Sequence, residues 1–84
     1  MQGIDQVVAM SEIDKIISKH IHVPIERLND GISYEKESGW DSVNHLKMVA
    51  ELEKTFKIEF DIDEITELDT VGKIRALVLK KRKQ

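Results

Sequence analysis

The chain has 84 residues, 13 Lys+Arg against 16 Asp+Glu, a net charge of −3, 40% hydrophobic residues and no cysteine. That length holds one small domain, expected to span 1–84 with its core over about 5–81, and the apolar content is too high for a disordered tail. The missing cysteines exclude a disulfide scaffold, a cysteine-ligated zinc and a thiol nucleophile, and the apolar runs are too short to span a membrane.

The first predicted element is a helix over about 5–20. Val7, Met10, Ile13 and Ile17 recur at three- and four-residue spacing, and Ile16 widens the stripe. Ser11, with Asp14 three residues on, resembles a capping box and offers an internal restart. Pro24 lies just beyond, where the helix has ended. Residues 22–41 form a long connection with Pro24, Gly31 and Gly39. Ile25, Leu28, Ile32, Tyr34 and Trp40 are spaced to pin it, so the loop is expected to be ordered.

A second helix starts at Asp41 or Ser42, both good N-caps, and runs to about Lys57. Val49, Leu52 and Phe56 form one apolar stripe, and Val43, Leu46 and Ala50 form another. With Met48 the apolar arc covers roughly 220°, against about 100° for a core-facing stripe. The first stripe is assigned to the core and the second to solvent, where spare apolar surface beside a helix N-terminus points to a partner or ligand.

The segment 58–69 alternates at first, but a lone strand cannot satisfy its backbone. A short helix from Asp61 or Asp63, using Ile65 and Leu68, is preferred. The last helix takes Thr70 as N-cap and runs to about Lys81, with Val71, Ile74, Leu77 and Val78 inward. The expected fold is all-α: a bundle of three main helices and one short helix, with a long ordered loop between the first two.

Charge is unevenly spread. Residues 1–72 hold seven basic and sixteen acidic residues, a net of −9, and residues 73–84 hold six basic and none acidic. The basic tail over 80–84 reads as a solvated helix end whose cations complement the helix dipole. The N-terminus MQGIDQVV carries an acid and lacks an apolar h-region, so no signal peptide is expected. An intracellular, cytoplasmic domain is the expectation.

No catalytic constellation stands out, and no metal site. His20 and His22 would lie about 200° apart on a helix, which spoils chelation, and they read as exposed helix-end histidines. Ser42 and His45 are i,i+3 neighbours, a spacing common by chance, and no Gly-rich phosphate loop or Walker motif occurs. Asp-Ser before a helix is by itself a cap. Here the serine also follows a long loop, heads a helix with excess apolar surface and sits in an acidic body. On residues alone, two other classes stay open. One is a helical nucleic-acid binder using the basic tail, which the acidic body opposes. The other is an interaction bundle in which Ser42 is only a cap.

Over about residues 12–79 the sequence resembles the acyl carrier proteins. Asp41-Ser42-Val43 is similar to the family's Asp-Ser-Leu, and Leu46, Val49, Leu52, Glu53 and Phe56 fall on its hydrophobic helix and Leu-Glu-x-x-Phe signature. Ile58, Phe60, Ile65, Leu68, Thr70, Val71 and Ile74 continue in register, and Ile16, Ile17, Ile21 and Val23 resemble the end of the family's first helix. The resemblance implies a carrier, not an enzyme. A separate phosphopantetheinyl transferase would move a 4'-phosphopantetheine arm from coenzyme A to Ser42 with magnesium, Asp41 helping to hold metal and arm. Asp41 and Val43 complete the attachment motif. The arm's thiol then carries an acyl group as a thioester. Val43, Asn44, Leu46, Lys47, Ala50, Glu51 and Lys54 would face partners. Val49, Leu52, Phe56, Ile65, Leu68 and Ile74 would form the core or line an acyl-chain shelter. Acyl-loading and acyl-transfer or condensing enzymes are the implied partners of a monomer that binds no nucleic acid.

The departures from the family pattern are specific. Asn44, Lys47 and Lys54 stand where members of primary fatty acid synthesis are acidic, and Val43 replaces leucine. Ser38 replaces an apolar loop residue, with Trp40 as compensation, and the Gly-Gly pair of peptide-synthetase carriers is absent. Gly39-Trp40-Asp41-Ser42 and His45 look more like discrete carriers of specialised acyl, polyketide or lipid-modification pathways. An aminoacyl or hydroxyacyl carrier is the alternative within the class.

Overall fold

Three of the helices begin on a side-chain capping bond. In the computed structural model, which describes residues 2–82 and side chains from Asp5 onward, α1 spans Gln2–Ile21, a 3-10 turn Ile25–Arg27, α2 Ser42–Phe56, α3 Ile62–Glu67 and α4 Val71–Arg82. Asp41 caps α2 by accepting the Asn44 N–H at 2.8 Å. Lys57, in the left-handed region at φ 56°, closes α2 through its N–H to Glu53 O. Asp61 and Glu64 form a reciprocal capping box, which decides the start of α3 for Asp61 over Asp63. Thr70 Oγ1 accepts the Lys73 N–H at the head of α4.

The core is built from Ile13, Ile16, Ile17 and Ile21 of α1, Met48, Val49 and Leu52 of α2, and Val71, Ile74 and Val78 of α4. Leu68, Phe60, Val23, Ile32 and Trp40 close it from the connections. Leu77 and Phe56 are only partly buried against it. The outward stripe of α2 is in solvent, Val43 and Leu46 each being 59% exposed.

α1 departs from expectation at two points. Val7 is 70% exposed, and the buried stripe begins at Ala9. Asp5 already meets Arg82 at the end of α4, so Val7 sits on the rim of the bundle. The helix also runs unbroken through Ser11, with no restart.

The long loop is ordered, chiefly by backbone bonds. Val71 N–H donates to Ile32 O at 2.9 Å and Gly72 N–H to Asp30 O at 3.1 Å. These are first-turn donors of α4 that no helical carbonyl can satisfy. Tyr34 N–H donates to Asp69 O at 2.8 Å, beside a single antiparallel bridge between Ser33 and Thr70. Ile32 and Trp40 are buried and Leu28 packs on the core, but Ile25 and Tyr34 are exposed and do not pin the loop from inside. Gly39 passes so close to the end of α1 that a Cβ there would run into Ile21 O. That approach brings the loop round to Asp41.

The basic C-terminal segment is only in part a solvated helix end. Arg75 donates to Asp14 at 2.9 and 3.0 Å and to Asp30 at 2.8 Å. The Asp14 contact, with Asp30, raises its basicity further. Lys81 pairs with Glu64 at 3.0 Å and lies over the Phe60 ring, and Arg82 pairs with Asp5. α4 lays its cations against acids of α1, the loop and α3. Lys80 is exposed, and Lys83 and Gln84, which complete the predicted tail, lie outside the described residues.

Candidate functional site

Ser42 is the first residue of α2, not its cap. The Asp41 carboxylate takes the capping bond, so the exposed Ser42 side chain is not needed to close the helix. The Ser42 and Val43 N–H groups belong to the first turn, where no carbonyl precedes to accept them. They face an incoming anion with the positive end of the helix dipole.

Beside Ser42 lies a cleft of about 310 Å³ between the first turn of α2 and α3, lined by Tyr34, His45, Leu46, Ile65, Thr66, Leu68 and Asp69. Its lining is mostly apolar. A larger hollow of about 540 Å³, between α3 and α4, shares Leu68 with it but does not reach Ser42.

His45 is the fastener of this region. Its Nδ1 accepts the Trp40 Nε1–H at 3.0 Å, and its Nε2–H donates to Ile65 O at 2.9 Å. Both bonds together require the neutral ring protonated on Nε2. The ring also stacks on Trp40 and meets Tyr34 edge-on, each at 6.0 Å between centroids. With both nitrogens engaged, His45 does not act as a base on Ser42. The i,i+3 spacing alone suggested no role; the structure shows a clasp joining the loop, α2 and α3.

The residues singled out from the sequence divide as follows. Ile65 and Leu68 line the cleft with Ser42. Val49, Leu52 and Ile74 are buried in the central core, and Phe56 is half-buried against it. Val43, Leu46, Lys47, Ala50 and Lys54 are exposed along α2. Asn44 is partly withdrawn, its Nδ2 donating to Gly39 O at 3.1 Å. Glu51 is turned toward α1, accepting from His20 Nε2–H at 2.6 Å and Lys19 Nζ at 3.1 Å. The His20 bond holds the Glu51 carboxyl below its ordinary value of 4.5. His20 is therefore an interhelical tie, not an exposed helix-end histidine; His22 is exposed and left-handed at φ 61°. Tyr34, Thr66 and Asp69 were not anticipated at the cleft. The one sequence signal was Trp40, whose indole N–H needs a partner when buried.

Residues 11–78 match the family described as the phosphopantetheine attachment site. The chain belongs to the acyl carrier protein family. It is 31% identical over 62 residues to acyl carrier protein 3 of Ralstonia nicotianae, covering 74% of this chain and 71% of that one. It is 27% identical over 73 residues to the acyl carrier protein of Buchnera aphidicola subsp. Schizaphis graminum, covering 87% and 92%. The group such a site takes is covalent 4'-phosphopantetheine, and the family's members are carriers, not enzymes. The residues here fit it: an exposed hydroxyl, first-turn N–H groups suited to an anionic phosphodiester, and an apolar-lined cleft alongside. No helix among the described residues is long and apolar enough to cross a membrane.

Proposed function

We propose that Ser42 is the attachment residue for 4'-phosphopantetheine and that the chain is one acyl carrier domain of a dedicated acyl, polyketide or lipid-modification pathway. The observation that carries the first part is the division of labour at the head of α2. Asp41 caps the helix, and Ser42, one residue on, is exposed with its hydroxyl free of that task. Ser42 and Val43 present N–H donors to a phosphodiester, and Asp41 stands beside them to hold a divalent cation while a transferase works. When attached, the arm supplies a thiol that binds an acyl group as a thioester. Ile65, Leu68 and Leu46 offer that cargo apolar surface, and His45 holds the cleft's two walls together. The dedicated pathway is supported by Asn44, Lys47 and Lys54 in place of acids on α2. Acyl-loading and acyl-transfer or condensing enzymes would be its partners, in the cytoplasm.

The experiment is intact-mass measurement after incubation with coenzyme A, magnesium and a broad-specificity phosphopantetheinyl transferase. One phosphopantetheinyl group should be gained by the wild type and none by Ser42→Ala. An unmodified wild type, or label on another serine, overturns the assignment.

A further inference from the structure

Folding uses the charges of α2 unequally. Both carboxylates are tied down: Glu51 by His20 and Lys19 of α1, and Glu53 by the Phe60 N–H at 2.9 Å. Neither exposed ammonium is. Among the described residues no carboxylate pairs with Lys47 or Lys54, nor with Lys57 at the helix end. On an isolated helix Glu51, four residues after Lys47 and three before Lys54, would be shared with one of them. Here α1 has drawn it away. Val43, Lys47, Ala50 and Lys54, at spacings of four, three and four, form one exposed stripe with Leu46 beside it. A helix with no net charge in its sequence thus shows a cationic, apolar face.

We propose that this stripe receives a protein partner that is acidic at its contact face, with an apolar recess for Val43 and Leu46 rimmed by Asp or Glu side chains that meet Lys47 and Lys54. This rests on the carrier reading and names the chemistry of its partner. Complementary charge selects among partners and speeds encounter. A partner built to read an acidic helix would set its own cations against these lysines. The lysines are about 10 Å apart along the helix, close to one Debye length at 0.1 M salt, so a carboxylate rim feels them locally. A polyanion does not fit as well. The chain as a whole carries −3, and duplex DNA or an anionic bilayer is held by larger basic clusters.

The test needs no arm, so its outcome stays separate from that of the attachment assay. Two synthetic amphipathic helical peptides with the same Leu/Phe face, one rimmed by Glu and one by Lys, are titrated into 15N-labelled unmodified protein. The Glu-rimmed peptide should shift the amides of residues 43, 47, 50 and 54 and bind about tenfold tighter than the Lys-rimmed one at low salt. The ratio should fall toward one at 1 M salt. In the Lys47→Glu/Lys54→Glu variant the preference should reverse; the wild-type salt series stands alone if that variant folds poorly. Net charge alone predicts the opposite order. Equal or tighter binding of the Lys-rimmed peptide, shifts away from α2, or no binding of either peptide overturns the proposal. So does occupation of the stripe by anionic phosphatidylserine vesicles or duplex DNA without a peptide preference.

Discussion

The Trp40 indole N–H donates to His45 Nδ1, and the other nitrogen of the same ring donates to Ile65 O. One imidazole thereby fixes the loop before Ser42 and the short helix α3. α3 needs the help, since none of its six residues is buried. Ile65 O lies near the end of that helix, where carbonyls lack full partners. His45→Ala leaves a largely buried indole N–H unpaired and strips Ile65 O of its side-chain donor, leaving it only the Leu68 N–H at 3.3 Å. It should cost about 1–3 kcal/mol in urea unfolding and speed amide exchange over 62–67 more than over α1. Unchanged exchange in α3 would show that the clasp does not hold it.

At the head of α2 the two neighbouring polar residues should separate cleanly. Asp41→Ala removes the cap and should cost about 1 kcal/mol. Ser42→Ala should stay within about 0.5 kcal/mol, because the serine caps nothing. Equal losses in chemical denaturation would mean that the serine shares the capping bond.

Along α2 the cost of truncation should follow burial. Leu52, fully buried, should lose about 2–5 kcal/mol on substitution by alanine. Phe56 is half-buried, so Phe56→Ala should fall below the ~3–5 kcal/mol of a fully buried phenylalanine. Val43→Ala should change stability by less than about 0.5 kcal/mol. Unfolding midpoints of the three variants test the order, and a Val43→Ala loss equal to that of Leu52→Ala contradicts the outward placement.

Glu51 should contribute to acid sensitivity. Its carboxyl is held below 4.5, first by the His20 hydrogen bond and then by Lys19. A carboxyl with a depressed folded value stabilises above its unfolded value and loses that contribution as pH falls through the folded one. The stability gap between wild type and Glu51→Gln should therefore be fully present above the ordinary carboxyl value of 4.5 and shrink as the pH falls below it. A gap that stays constant across that range would show that the carboxylate charge contributes nothing.

The sequence by itself determined the four helices and their approximate limits, because those signals act within three or four residues. The Thr70 cap, the choice of inward and outward faces on α2, and a cap for that helix at Asp41 or Ser42 were readable in that way; the structure chose Asp41. The position of Ser42, after a loop and at a helix head, was readable too. The tertiary structure decided which groups meet across the chain. Glu51 reaches His20 over 31 positions, Arg75 reaches Asp14 over 61, and Arg82 reaches Asp5 over 77. The loop carbonyls of Asp30 and Ile32 find the bare N–H groups of α4 in the same way. No periodicity encodes such pairs, since each depends on how packed helices bring distant side chains into hydrogen-bond range. That is why much of a basic tail became part of the bundle, a chance-spaced histidine became a clasp, and a helix of balanced charge came to leave its lysines unpaired while its carboxylates were tied down.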